Sequence, residues 1–577
     1  MSIFKKLGFI TVLLAVNVFA LAQYLPIPDY PKGYFQWPLD LKPELIANFG
    51  ELRPNHYHMG LDCRTGQKQN QPVHAAAAGY IAKVKIEPFG FGRCIYINHP
   101  NGFTTLYAHL NDLYPELEKY VKEQQYKLRS WKVFLEIPAN LFPVSKGQFI
   151  AFSGSTGGSQ GPHLHFELRE TQTDKVLNPL LFGLPVIDHV APDLYKLALY
   201  DRSISTYEQS PLLYSLKKIN GIYHTLPLVL TVNSDKVSFG ITSFDRSDGS
   251  SNRNGIYEAV LFDNDRPVVG FQMNNISYDE TRQLNAHIDY RLRSSSGPFV
   301  EHLSKLPGYT NGIYRMINGD GVIDIGDGKI HNIRIEVKDA HGNTSLSEFE
   351  IKRNVIPSEK PVPVAISPYV QKEFYPGMIN IFENDHLVFY LPEQCLYDSF
   401  RFQYRELIPP KGNTIFRLHN NSVPLQVPFT LKLKNNLPSS VKDKVVMERS
   451  WDSKKEFAKA LPVKILFTDW FSASFKELGD FQLQVDTTAP VISPLGFKDG
   501  MNLSLLTRIA FVITDNSEEL RNFNATLDGK WLRFSNDKGK AFIYTFDEMC
   551  GPGQHELVIS VEDLVGNRTE RVYHFKR

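Results

Sequence analysis

The residues with types and spacing suited to metal chemistry fall in the first third of the chain. In His56-Tyr57-His58-Met59-Gly60-Leu61-Asp62, imidazoles and a carboxylate recur at even spacing. On a strand, residues of equal parity project from one face, so His58 and Asp62 can point at a common centre. His163-Leu164-His165-Phe166 repeats the device, with two imidazoles on one face and Leu164 and Phe166 free to bury on the other. Two His and one Asp suit zinc, which takes N and O ligands at about 2.0 to 2.2 Å. Three protein ligands leave a fourth position for water, as in catalytic sites. Either pair alone arises by chance in many chains. Their surroundings are what make them specific: Asn48-Phe49-Gly50 before the first, Pro72-Val73-His74-Ala75-Ala76 and Gly79 after it, Tyr107-Ala108-His109-Leu110 midway, and Gly154 to Pro162 leading into the second.

In four ordered motifs, F-G, H-x-G-x-D, Y-A-H-L and G-P-H-L-H-F-E, the chain resembles the lysostaphin-type, or LytM-like, zinc metallopeptidases. These are exported endopeptidases that cleave peptidoglycan peptides. The resemblance covers about residues 45 to 180. It implies a compact antiparallel β core with a groove over the metal, zinc ligands His58, Asp62 and His165, and His109 and His163 beside a metal-bound water. All five expected residue types are present, which points to a zinc metalloendopeptidase acting on peptidoglycan stem or cross-link peptides. The alternative is a catalytically silent relative that binds the wall or regulates another hydrolase. Zinc with one Asp ligand leaves a site of about +1, which lowers the pKa of bound water towards about 7. A non-ligating imidazole can take the water proton and return it to the leaving amine. Base, acid and oxyanion roles fall jointly to His109 and His163. Of the neighbours, His56 reads as exposed, His74 and His99 as structural, Glu167 as a partner of a ligand or a plain strand residue, and Arg53 as a substrate contact or a surface ion pair.

These side chains need strands to hold them, and most of the chain has strand character. Aromatic residues make up 12%, with 36 Pro and 38 Gly, which suits short strands joined by turns. One segment differs. From Asp112 to about Trp131, Leu113, Leu117, Tyr120, Val121 and Leu128 recur at helical spacing, with Glu118-Lys122 and Glu123-Lys127 at i,i+4. This insertion, about 111 to 145, is longer than the hairpin usual in the family and starts directly after His109, which places it to wall the groove. Beyond Val186 a weak repeat appears. Asp188-His189-Val190-Ala191-Pro192 is echoed by Asp486-Thr487-Thr488-Ala489-Pro490, and Val337 to Asn343 by Val561 to Asn567 as V-x-D-x-x-G-N. The fold expected is mostly β: a metallopeptidase domain over 23–187 with a helical insertion, immunoglobulin-like sandwiches over 188–355 and 486–577, and a third probable sandwich over 356–485.

Met1 to Ala22 has Lys5 and Lys6, an apolar run from Leu7 to Phe19 and Ala20-Leu21-Ala22, the parts of a secretory signal peptide. The expectation is export to the periplasm, the cell envelope or the medium, with no stable membrane span after cleavage. Over 577 residues the net charge is +1, and losing the two lysines makes it −1. That balance offers no electrostatic footprint for nucleic acid. Four cysteines are too few for a disulfide framework, although Cys63 and Cys94 lie in one domain and are candidates for a bridge or for two buried thiols. Asn318 to Asp324 with Asp327 reads as paired Gly-Asp turns rather than a calcium loop, because Met316 stands where a first acidic ligand belongs.

Overall fold

Alternating apolar residues build the N-terminal unit around the strand His163–Glu170. Leu164, Phe166 and Leu168 are fully buried against Leu61, Cys63 and Tyr107. Each such burial contributes about 1.5 to 3 kcal/mol. The opposite face of the strand then carries His163, His165, Glu167 and Arg169. It pairs antiparallel with Leu61–Arg64 on one side and Phe103–Ala108 on the other, inside a nine-stranded sheet. The register sets His165 directly across from Asp62 and from Ala108. The computed structural model describes residues 24–354, 369–435, 437–465, 467–539 and 541–577, so the signal segment expected at 1–22 lies outside the described residues.

The insertion after His109 is only partly helical. Asp112 and Leu113 belong to the strand Leu110–Leu113, which pairs with Phe149–Ser153. The helix is Pro115–Leu128, with proline in its first turn and Arg129 in the left-handed region at φ 49° ending it. Leu117, Val121 and Gln125, spaced by four, form its buried face. Val133–Glu136 then adds an edge strand beside Gly79–Ile86.

The rest is mostly strand, as the expected fold class requires. Strands from Asp193–Asp201 to Thr344–Arg353 form an eleven-stranded sheet system. It also contains the short helices Leu284–His287 and Tyr290–Ser294, which the alternation of its sequence does not announce. A six-stranded and a five-stranded sheet follow over Val370–Phe374 to Gly479–Val485, then a three- and a five-stranded sheet over Val491–Leu495 to Arg568–Lys576. One apolar core runs without interruption from Phe49, Tyr57 and Met59 through the eleven-stranded unit to Phe481 and Leu483. All four cysteines are buried free thiols. Cys63 lies in the main core of the N-terminal unit and Cys94 in a separate cluster with Tyr96 and Leu106. Asp320, Asp324 and Asp327 each accept a backbone N–H two residues on, which makes that stretch a run of turns.

Candidate metal centre

The cross-strand pair brings Asp62 and His165 together, and the link from the strand His56–Tyr57 to Leu61–Arg64 brings in His58. All three are buried. His58 Nε2 is 2.9 Å from Asp62 Oδ1, His165 Nδ1 is 3.0 Å from the same oxygen, and the two nitrogens are 3.1 Å apart. Three donors thus form a nearly equilateral triangle. A tetrahedral ion with bonds of about 2.0 to 2.1 Å needs edges of about 3.3 Å, so a few tenths of an ångström of expansion admits zinc. The outward atoms fit as well. His58 donates Nδ1–H to the Asn48 carbonyl at 2.7 Å, and His165 directs Nε2 at Glu167 Oε1, 2.8 Å away. A carbonyl can only accept, so His58 holds its proton on Nδ1 and turns the Nε2 lone pair inward. Two nitrogens and one carboxylate oxygen, each braced from behind, are a donor set suited to zinc.

Asp62 Oδ2, the oxygen turned away from the triangle, accepts from Arg53 at 2.7 Å. Glu167 is fully buried and takes Arg169 Nε at 2.7 Å on its second oxygen, while the Tyr278 hydroxyl donates to its first. Electrostatics follow from these contacts. Burial drives His58 down to about 4 against the pull of Asp62. At His165 burial also disfavours charge, but hydrogen bonds to Asp62 and Glu167 overcome it and raise the ring to about 9. Burial likewise opposes charge on Asp62, and the three surrounding imidazoles hold it well below the usual carboxylate range.

His109 and His163 stand beside the triangle. Their rings are 4.8 Å apart, and His109 is 5.8 Å from the His165 ring. His163 Nε2 lies 3.4 Å from Asp62 Oδ1. His109 donates Nδ1–H to the Thr156 carbonyl at 2.8 Å, and His163 donates its own to the Gly161 carbonyl at 2.9 Å. In the neutral ring each therefore carries its lone pair on Nε2. Burial, then the neighbouring imidazoles, push His109 down to about 3. His109 follows the strand Phe103–Ala108 at φ 61°, a strained conformation for a residue with a Cβ, held by its N–H on the Phe91 carbonyl at 3.0 Å.

Of the neighbours weighed from sequence, His56 is exposed and bonded to Pro54, while His74 and His99 have structural partners. Sequence reasoning did not find Tyr278, which comes from the eleven-stranded unit, or the carbonyls of Asn48, Thr156 and Gly161. Only the glycine- and serine-rich run before His163 hinted at the last two.

The histidine and aspartate triangle, flanked by two further imidazoles, is a candidate metal centre. Residues 56–126 match the family model Peptidase family M23, and the N-terminal unit is a LytM-like M23 domain. Residues 371–486 match a second model, the Zu5-like domain. An uncharacterized metalloprotease of Haemophilus influenzae is 31% identical over 27% of this chain and 28% of its own. The DD-carboxypeptidase/endopeptidase Mpg of Neisseria meningitidis is 35% identical over 22% of this chain and 23% of its own. The murein hydrolase activator NlpD of Salmonella typhimurium is 32% identical over 26% of this chain and 32% of its own. The chain spans less than a third of each of these relatives.

Proposed function

We propose that this protein is an exported, zinc-dependent endopeptidase that hydrolyses peptide bonds in peptidoglycan stem or cross-link peptides. The observation that carries the reading is that His58, His109 and His163 each give an N–H to a backbone carbonyl, and His165 turns its outer nitrogen to Glu167. All four thus face one small volume with their other nitrogen. In this reading His58, Asp62 and His165 hold the ion, which when bound supplies a Lewis acid for the scissile carbonyl and acidifies an attacking water. His109 and His163 do the proton work. Each has Nε2 free to accept a proton while the carbonyl behind it fixes the ring and stabilises the imidazolium that forms. Arg53 neutralises the far oxygen of Asp62 and fixes its near one in the triangle.

The Neisseria relative, named as an endopeptidase, favours the catalytic reading, and the Salmonella relative, named as an activator, the silent alternative. A degenerate site favours the second reading, and none of the five positions here is degenerate. Mature protein incubated with purified sacculi is expected to release peptides whose masses identify the bond cut. Sacculi left intact by zinc-loaded protein would instead support a binding or regulatory role.

A further inference from the structure

The two halves of the sequence repeat converge in space, twice. Asp188 and Asp339, from the D-x-x-A-P and V-x-D-x-x-G-N motifs of the second unit, lie with His341 so that their donor atoms are within 4.8 Å of one another. Asp486 and Asp563, from the same motifs in the last unit, do so with Asp515. Strand register supplies the third carboxylate of the first cluster. Asp193 pairs with Phe244 and Val491 with Thr514, and the next residues are Asp245 and Asp515. Asp245 therefore occupies the place that Asp515 holds in the copy. Burial and the charges of Asp188 and Asp339 push Asp245 up to about 8, which agrees with a third carboxyl facing the same two.

Three carboxyls held together must either keep a proton, as Asp245 does near neutral pH, or take up a compensating positive charge. Among the described residues no Lys or Arg forms an ion pair with any of the six; the nearest cationic candidate is His341, 3.8 Å from Asp188. Asp245 Oδ1, Asp486 Oδ2 and Asp515 Oδ1 are buried with no hydrogen-bond partner, on residues of which Asp245 and Asp486 are only 4% and 3% exposed. Three carboxylates at each site, with one exposed imidazole at the first that Val565 replaces in the copy, suit a hard cation. We propose that Asp188, Asp245 and Asp339, and independently Asp486, Asp515 and Asp563, each bind one calcium ion.

The two sites sit at equivalent junctions. Asp188 opens the unit after the M23 domain, and Asp486 opens the one after the Zu5-like domain. In each, the turn that carries the second aspartate also packs on the preceding unit. Ala340 lies against the M23 core and His341 Nε2 is 3.1 Å from the Val186 carbonyl. Leu564 and Val565 cluster with Val446, and Lys444 donates to the Val565 carbonyl at 3.3 Å. A cation that ties the entry strand to this turn fixes the angle between units.

The test is equilibrium dialysis of radiolabelled calcium against the mature full chain, stripped of metal and re-supplied with one equivalent of zinc, at about 1 mM free calcium, where extracellular modules bind. Two calcium ions per chain are expected, one in Asp245→Asn or Asp515→Asn, and none in the double variant. The wild type is expected to melt higher with calcium than without it, and the double variant to melt at the same temperature in both. Asn keeps the shape of each carboxyl without the cost of ionising or protonating it beside two others, so the calcium-free variants are expected to melt no lower than calcium-free wild type. No calcium bound by the folded wild type, or two ions retained by the double variant, overturns the proposal.

Discussion

Asp62 carries more of the candidate metal centre than any other residue, because one oxygen meets His58, His163 and His165 while the other is held by Arg53. Removing the guanidinium lets the carboxylate rotate. Arg53→Met is expected to weaken zinc binding about 10- to 100-fold, read by competition with a chromophoric chelator. Unchanged affinity would make Arg53 a plain surface ion pair, one of the two roles its sequence position allows. A second residue sets a pH limit far from the site. Burial, then the Arg202 charge, push His302 down to about 3. The unfolded chain takes up this proton near 6.5 and the folded chain does not. Its contribution is therefore complete above about 6.5 and is lost on acidification, by about 1.4 kcal/mol per pH unit, until about 3. His302→Phe is expected to flatten the fall in urea midpoint between about pH 4 and 6.5, whereas a slope as steep as in wild type contradicts this assignment.

At the scale of elements, what could be read from sequence is what a local period encodes. The two-residue period of a strand placed His163 and His165 on one face and Leu164 and Phe166 on the other, and the structure arranges them so. The pairing that sets His165 across from Asp62 spans 103 residues, and only the ordered motifs pointed to it. Helical spacing over-extended the helix at both ends, because Leu113 has the same apolar character in a strand as in a helix and Arg129 terminates by backbone conformation. The insertion is tied into the domain by its apolar side chains. Leu117, Val121, Val133 and Leu135 are buried in the domain core, so deleting residues 114–142 is expected to yield unfolded protein rather than altered cleavage preference. Leu117→Ala alone is expected to cost about 2 to 5 kcal/mol in denaturant unfolding. A loss under about 0.5 kcal/mol, the usual range for surface positions, would place the helix outside the core.

At the scale of the whole molecule, the last unit folds back on the M23 domain, which no sequence period reports. Lys122 of the insertion helix pairs with Asp547 and Glu548, both at 2.9 Å, and Tyr126 packs on Trp531. Beside the metal centre, Asp537 Oδ1 accepts from Gly157 N at 2.8 Å and Lys538 donates to the Ser159 carbonyl. Those residues belong to the loop whose Thr156 and Gly161 carbonyls orient His109 and His163, so the last unit braces the pair that moves the proton in the proposed mechanism. Replacing Asp537 and Lys538 together with Ala is expected to lower kcat several-fold with zinc content unchanged; a faster enzyme would mean that the contact obstructs the groove. In the proposed mechanism one triangle holds zinc and a separate pair of imidazoles moves the proton. Bound zinc and sacculus cleavage measured side by side on His163→Ala and Asp62→Ala test it most directly. His163→Ala is expected to hold one zinc per chain with cleavage abolished, and Asp62→Ala to lose both. Cleavage at the wild-type rate by His163→Ala, or by Asp62→Ala free of zinc, would contradict it.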